Sequence, residues 1–174
     1  MTPIEVLDKL KQIRALLLDV DGVLTDGNII YNESGDEIKI FNVRDGLGLK
    51  LLMSAGIPVG IVTGRKSKAL HYRCKDLGIQ YVFDAVADKA SVVEKIATRL
   101  GVSAENIAFI GDDLPDLSLM KQVGLSIAVA DAHELVRRQA NWITAAGGGC
   151  GAVREVCEAL LDAQGFWEKI AERF

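Results

Sequence analysis

The chain reads as an α/β protein: a doubly wound, Rossmann-like parallel sheet with a β-hairpin inserted after the first strand. Three observations predict this. Short apolar runs stop abruptly at polar residues, as strands buried on both faces do. Between them lie segments of helical periodicity, several closed by a glycine. One stretch, 27–43, alternates with period 2 instead, as a hairpin does.

The elements follow in order. Thr2-Pro3-Ile4-Glu5 is a capping-box signature with proline at the first helical position, predicting a helix through Lys11. Ala15-Leu16-Leu17-Leu18 is an apolar run ending at Asp19 and predicts the first strand. In the hairpin, Ile29, Tyr31, Ile38 and Ile40 alternate around the turn Glu33-Ser34-Gly35-Asp36. Leu47, Leu51 and Leu52 suit a helix capped by Asp45 and ended by Gly56. The strand 58–62 ends at Thr63-Gly64, a helix runs from Lys66 to Leu77, and Tyr81-Val82-Phe83 is a short strand. A helix from Lys89 to Leu100 leads to strand 107–110 and then to Gly111-Asp112-Asp113. A helix over 117–123, strand 126–129, a helix near 134–139, a short strand at Trp142-Ile143 and a helix from Ala152 to Leu161 complete the pattern. The Gly147-Gly148-Gly149 run lacks the lysine and hydroxyl of a phosphate loop and reads as a flexible turn.

Strands alternating with helices predict one parallel sheet with both faces covered. At 174 residues there is room for one domain, 1–174, with the hairpin at about 27–43 and a tail at about 165–174. Hydrophobic residues make up 49%, charged residues 25%, and the net charge is −4, without the basic excess of a nucleic-acid surface. No apolar run approaches a membrane span. The three cysteines, Cys74, Cys150 and Cys157, lack CxxC spacing, which argues against a thiolate zinc site or a disulfide framework. Free thiols and no apolar signal region lead to the expectation of a cytoplasmic protein.

The chemistry gathers where ligands sit in such sheets, beyond the carboxyl ends of the strands. Those ends deliver Asp19-Val20-Asp21-Gly22, Thr63-Gly64-Arg65 and Gly111-Asp112-Asp113. Carboxylates converging on one rim repel unless a hard cation sits among them, and an all-oxygen set without His or Cys favours Mg2+. Within Asp-x-Asp, one carboxylate can hold metal and attack phosphorus while the other serves the leaving group as acid. Thr63 offers a hydroxyl and Lys89 a countercharge to phosphoryl oxygens, the requirements of phosphoryl transfer. Taken singly, each motif has a bland reading: Asp-x-Asp as a turn or cap, Thr63-Gly64 as a strand exit, Lys89 as a solvated helix residue. Their joint order is what carries the inference.

Asp19-Val20-Asp21-Gly22-Val23-Leu24-Thr25, Thr63-Gly64-Arg65, Lys89 and Gly111-Asp112-Asp113-Leu114-Pro115-Asp116 resemble the four ordered motifs of the haloacid dehalogenase superfamily. Phe41-Asn42-Val43-Arg44-Asp45-Gly46 and Gly148-Gly149-Cys150-Gly151-Ala152 are similar to its capless sugar-acid phosphatases. The resemblance implies a phosphatase core with no separate cap domain and an aspartyl-phosphate intermediate. It implies Asp19 as nucleophile and Asp21 as general acid and then base. Asp19, the backbone carbonyl of Asp21, and Asp112 would ligate Mg2+. Thr63, Gly64 and Lys89 would hold the phosphoryl group, with Asp113 and Asp116 behind them orienting Lys89 or metal-bound waters. A homotetramer paired through the hairpins, with neighbours closing each site, is implied as well.

A sugar acid carries a carboxylate, so a cation away from the phosphate site is expected. Arg65 and Arg73 lie eight residues apart, roughly on one face of the predicted helix, and are the candidates. Relatives acting on nine-carbon acid 9-phosphates look to have glutamate where this chain has Arg65. The arginine therefore implies an eight-carbon octulosonate 8-phosphate, a lipopolysaccharide precursor, with the nine-carbon ester as the alternative. A receiver-type signalling domain would gather similar residues, but the hairpin and Asp21 argue against it.

Overall fold

The computed structural model describes residues 4–172. Thr2 and Pro3 of the expected capping box lie outside them. Helix α1 (Ile4–Gln12) leads into β1 (Ala15–Leu18), whose residues are all buried because it is flanked on both sides. The hairpin strands β2 (Ile30–Tyr31) and β3 (Glu37–Ile38) form a separate two-stranded sheet. Then come α2 (Val43–Ser54), β4 (Val59–Val62), α3 (Lys68–Leu77), β5 (Tyr81–Phe83), α4 (Val93–Leu100) and β6 (Ile107–Gly111). The remainder is α5 (Leu117–Met120), β7 (Leu125–Ala128), α6 (Glu134–Gln139), β8 (Trp142–Ile143), α7 (Ala152–Ala163) and α8 (Trp167–Ala171).

The main sheet has strand order β5-β4-β1-β6-β7-β8, and every pair in it is parallel. From β1 the chain builds outward to β4 and β5, then crosses back to β6 on the other side. That reversal puts the topological switch point at β1 and β6, where such sheets open a crevice beyond the strand ends. The core lies on both sheet faces, with Leu16, Leu17, Leu18, Phe109 and Ile110 fully buried at its centre. Helices α2 and α7 pack side by side on one face. Gly48 lets them approach, since a methyl there would meet the Arg154 backbone and side chain. No helix among the described residues is long and apolar enough to cross a membrane.

Several boundaries differ from the periodicity. Asn42, not Asp45, caps α2, its side chain accepting from Arg44 N–H. Asp45 lies inside the first turn, buried, and its carboxylate accepts from Arg154 N–H at 2.8 Å, at the start of α7. Lys89 sits in a 3-10 turn (Lys89–Val92) capped by Asp88, and the α-helix proper starts only at Val93. Helix α5 stops at Met120, three residues short of the expected end, where the chain turns toward Gly124. The hairpin strands are two residues long, with Ile30 opposite Ile38 and Tyr31 opposite Glu37. Residues past Gly165, which suggested no element, form α8, whose Ile170 packs into the core. Of the three free cysteines, Cys74 and Cys157 are buried and Cys150 is exposed.

Candidate active site

Asp19 follows β1 directly, and its N–H donates to Ile110 O of β6 at 3.0 Å, so the sheet ladder fixes where the residue leaves the strand. The loop after it turns on Gly22, at φ 86°, a left-handed conformation suited to glycine. Gly22 is required for a second reason, because a methyl there would fall on the Asp112 carboxylate. The two aspartate loops at the ends of β1 and β6 are thus in direct van der Waals contact.

A cavity of about 460 Å³ opens over these strand ends. Asp19, Asp21, Thr63, Gly64, Arg65, Lys89, Asp112, Asp113 and Asp116 all line it, so the structure brings together every expected residue except Arg73. The Arg73 guanidinium instead donates to Asn42 O at 3.2 Å and stacks 5.7 Å from the Phe41 ring centroid. Helical spacing put Arg73 on the same face as Arg65, but Arg65 precedes the helix, which begins at Lys68. The periodicity argument therefore does not apply to it.

Lys89 is 4% exposed and lies 2.9 Å from Asp19 Oδ1 and 2.5 Å from Asp116 Oδ1. Burial alone would depress its proton affinity, but the two carboxylates outweigh that and hold it above the ordinary lysine value. Asp116 is nearly fully buried and spends its other oxygen on the N–H groups of Asp112 (2.9 Å) and Asp113 (3.3 Å). One Asp116 oxygen thus faces Lys89 while the other ties down the loop after β6. Asp113 is exposed and makes no contact with Lys89 among the described residues; its carboxylate accepts from Leu114 N–H, closing a reciprocal cap with Asp116.

The carboxylates repel in earnest. Burial, then Asp116, raises Asp19 from 3.8 to about 6, against the opposing pull of Lys89. Burial, then Asp116, Asp19 and Asp113, raises Asp112 to about 8. Oxygens of Asp19, Asp112 and Asp116 fall within 4.8 Å of one another. Asp112 Oδ1 is buried with no hydrogen-bond partner among the described residues, which is costly unless something else satisfies it. A hard divalent cation would answer both features, and the donors are all oxygen. With both Asp116 oxygens already occupied by N–H and ammonium donors, Asp19 and Asp112 are the carboxylates free to hold such an ion.

Two residues here escaped the sequence reading. Lys39 forms an ion pair with Asp21 Oδ1, and Glu37 Oε1 sits 2.5 Å from Arg65 Nη2 and 3.3 Å from Lys39 Nζ. Their signal was available, since Glu37 and Lys39 alternate with Ile38 and Ile40 and must face the other way. The Gly147-Gly148-Gly149 run is also tighter than a flexible turn. Gly149 N–H donates to Val23 O at 2.9 Å and Gly148 N–H to Asp131 Oδ1 at 2.9 Å. A methyl at Gly148 would strike Gly22 O, so the run clamps the loop that carries Asp21.

The chain as a whole is similar to known proteins. Residues 81–147 match the haloacid dehalogenase-like hydrolase family. The 3-deoxy-D-manno-octulosonate 8-phosphate phosphatase of Escherichia coli (strain K12) is 47% identical over 161 residues, 92% of this chain and 86% of that protein. The structure of the same phosphatase from Yersinia pestis superposes with TM-score 0.93 at 45% identity, covering 95% of this chain and 89% of that one. The one from Moraxella catarrhalis, solved with magnesium ion, phosphate ion and a KDO molecule, gives TM-score 0.95 at 42% identity over 98% of each chain.

Proposed function

This chain belongs to the haloacid dehalogenase-like hydrolases as a phosphoric monoester hydrolase, and from that premise we propose that it releases phosphate from 3-deoxy-D-manno-octulosonate 8-phosphate, a step of lipopolysaccharide precursor synthesis. The observation that carries the chemistry is Lys89, buried between Asp19 and Asp116 beside an Asp112 oxygen that no group among the described residues satisfies. The Moraxella catarrhalis relative, with magnesium, phosphate and KDO bound together, supports the substrate class.

In this reading Asp19 is the nucleophile. Its carboxylate oxygen attacks phosphorus, the ester P–O bond breaks, and Asp21 gives its proton to the departing sugar oxygen. Asp21 then takes a proton from a water whose oxygen attacks the aspartyl-phosphate, freeing Asp19 and inorganic phosphate. Lys89 and the Thr63 hydroxyl, with the backbone at Gly64, hold the phosphoryl oxygens, and Lys89 also keeps Asp19 oriented. Asp19, Asp112 and the Asp21 carbonyl would hold Mg2+, which when bound supplies positive charge against these carboxylates and the phosphoryl group. Arg65, 40% exposed and at the cavity edge, is the candidate for the substrate carboxylate.

The chain acts as a single catalytic domain over 1–174, with 27–43 as the inserted hairpin and 165–174 as the tail. The hairpin pairs with copies of itself in a homotetramer. That assembly is supported by the exposure of Ile29 (51%), Tyr31 (61%), Ile40 (64%) and Val43 (79%), a patch too apolar for a lone ribbon in water.

The deciding measurement is phosphate release from a panel of sugar phosphates with Mg2+, comparing wild type with Asp19→Asn. Release from the octulosonate ester, lost on chelation and on substitution, is the expected result. Preference for a nine-carbon acid ester would overturn the substrate, and activity surviving Asp19→Asn would overturn the nucleophile.

A further inference from the structure

The hairpin reaches the reacting groups as well as facing outward. Ile38 and Ile40 are 45% and 64% exposed, yet the Lys39 side chain between them is only 3% exposed. A lysine ammonium drawn out of water on an otherwise exposed ribbon needs dedicated partners. Lys39 has two: Asp21 Oδ1, and Glu37 Oε1 at 3.3 Å. The same Glu37 oxygen lies 2.5 Å from Arg65 Nη2, and Arg65 Nε is 3.7 Å from Asp21 Oδ2. Asp21, Lys39, Glu37 and Arg65 thus close a ring of alternating charge, with cations on either side of Asp21. One of those cations comes from the hairpin and the other from the loop after β4.

The ring has a counterpart across the cavity, where Asp19 has its own buried lysine, Lys89. General acid–base work requires the carboxyl oxygen to be within hydrogen-bond reach of the atom it serves, and a free aspartate side chain samples several rotamers. The grip is unequal. Lys39 holds Oδ1 closely, while Arg65 stands 3.7 Å from Oδ2, leaving that oxygen to face a leaving group.

We propose that Lys39 is a positioning residue for Asp21: it pins one carboxylate oxygen so that the other is presented to the leaving oxygen, with Glu37 holding Lys39 in place. This rests on the phosphomonoesterase reading, in which Asp21 is the proton donor. The hairpin then contributes to the reaction from within the same chain, separately from any role in assembly.

The test exploits leaving groups. A sugar alkoxide needs a proton as it departs, whereas p-nitrophenolate leaves without one. First-turnover rates would be measured with the octulosonate ester and, as a burst, with p-nitrophenyl phosphate. Lys39→Met should slow the sugar ester about 10- to 100-fold with KM nearly unchanged, and change the p-nitrophenolate burst less than about threefold. Lys39→Arg should recover most of the loss. Glu37→Gln, which leaves Lys39 and Asp21 chemically intact, should show the same split more weakly and serves if Lys39→Met folds poorly. Asp21→Asn should show the split in full, and adding Lys39→Met to it should cost little more, since both act at one step.

Equal losses on both esters, or a change only in KM or in oligomeric state, with Asp21→Asn still showing the split, would overturn the role of Lys39 and leave it a tether for the hairpin. An Asp21→Asn enzyme without the split would overturn the proton-donor reading itself, and the proposal with it.

Discussion

Asp45 is 1% exposed and belongs to α2, but its carboxylate accepts from the Arg154 N–H at the start of α7. One of its oxygens has no hydrogen-bond partner among the described residues. Burial raises its proton affinity above the ordinary 3.8, against backbone donors at Arg154 and Gly151 that pull the other way. The folded protein therefore binds this proton more readily than the unfolded chain does. Stability from the protonated form is complete below 3.8 and is lost as pH rises through the raised folded value. Asp45→Asn keeps an acceptor without the charge. In urea unfolding it should gain on wild type as pH rises above about 4. Asp45→Ala should instead lose about 1–2 kcal/mol, as an unmade helix cap does. An Asp45→Asn protein that lost ground as pH rose would contradict this account. In sequence Asp45 reads as an ordinary cap for its own helix, and nothing local reveals that it serves a helix 109 residues away.

Among the elements, the glycine run before α7 has the clearest mechanical consequence. Gly148 sits against Gly22 O, and Gly149, at φ 63°, packs on the Thr25 backbone. Asn42, the cap of α2, donates to Gly149 O at 3.1 Å, so the start of α2 and the Gly-rich run brace each other around the Asp21–Asp26 loop. Gly148→Ala would have to move that loop. Displacements of about 1 Å at a reacting group cost about 100-fold, so kcat should fall about 10- to 100-fold, with a smaller effect on KM. Steady-state kinetics on the purified variant check this, and an unchanged kcat would mean that the loop does not depend on the clamp. Glycine content alone suggests flexibility, whereas packing converts the same residues into close-contact points.

For the whole molecule, the unpaired hairpin and the open cavity belong to one question. The cavity lies at the strand ends with no second domain over it among the described residues, and Ile29, Ile30, Tyr31, Ile38 and Ile40 of the hairpin are exposed. If copies of the chain pair through these ribbons, charging the patch should separate them. Ile29→Glu with Tyr31→Glu is expected to shift sedimentation from an oligomer to monomers and to lower activity on the sugar ester. Neither residue lines the cavity. A wild-type protein that is monomeric and fully active would remove the tetramer from the account.

Local signals carried much of this protein. Periodicity, caps and abrupt polar stops are written in neighbouring residues, so the α/β class, the succession of elements and the aspartates at the strand ends could be read directly. The motif order then pointed to the same rim of residues that lines the cavity. Tertiary structure decided which ends meet: β1 between β4 and β6 is a long-range outcome, and it sets Asp19 beside Asp112 and Lys89 between Asp19 and Asp116. It also sent Arg73 to Asn42 and Phe41, turned Asp45 toward α7, and folded Lys39 from an exposed ribbon onto Asp21. These are pairings of charge and shape between distant segments. Their free energy exists only once the chain is packed, so no local pattern of residues encodes them.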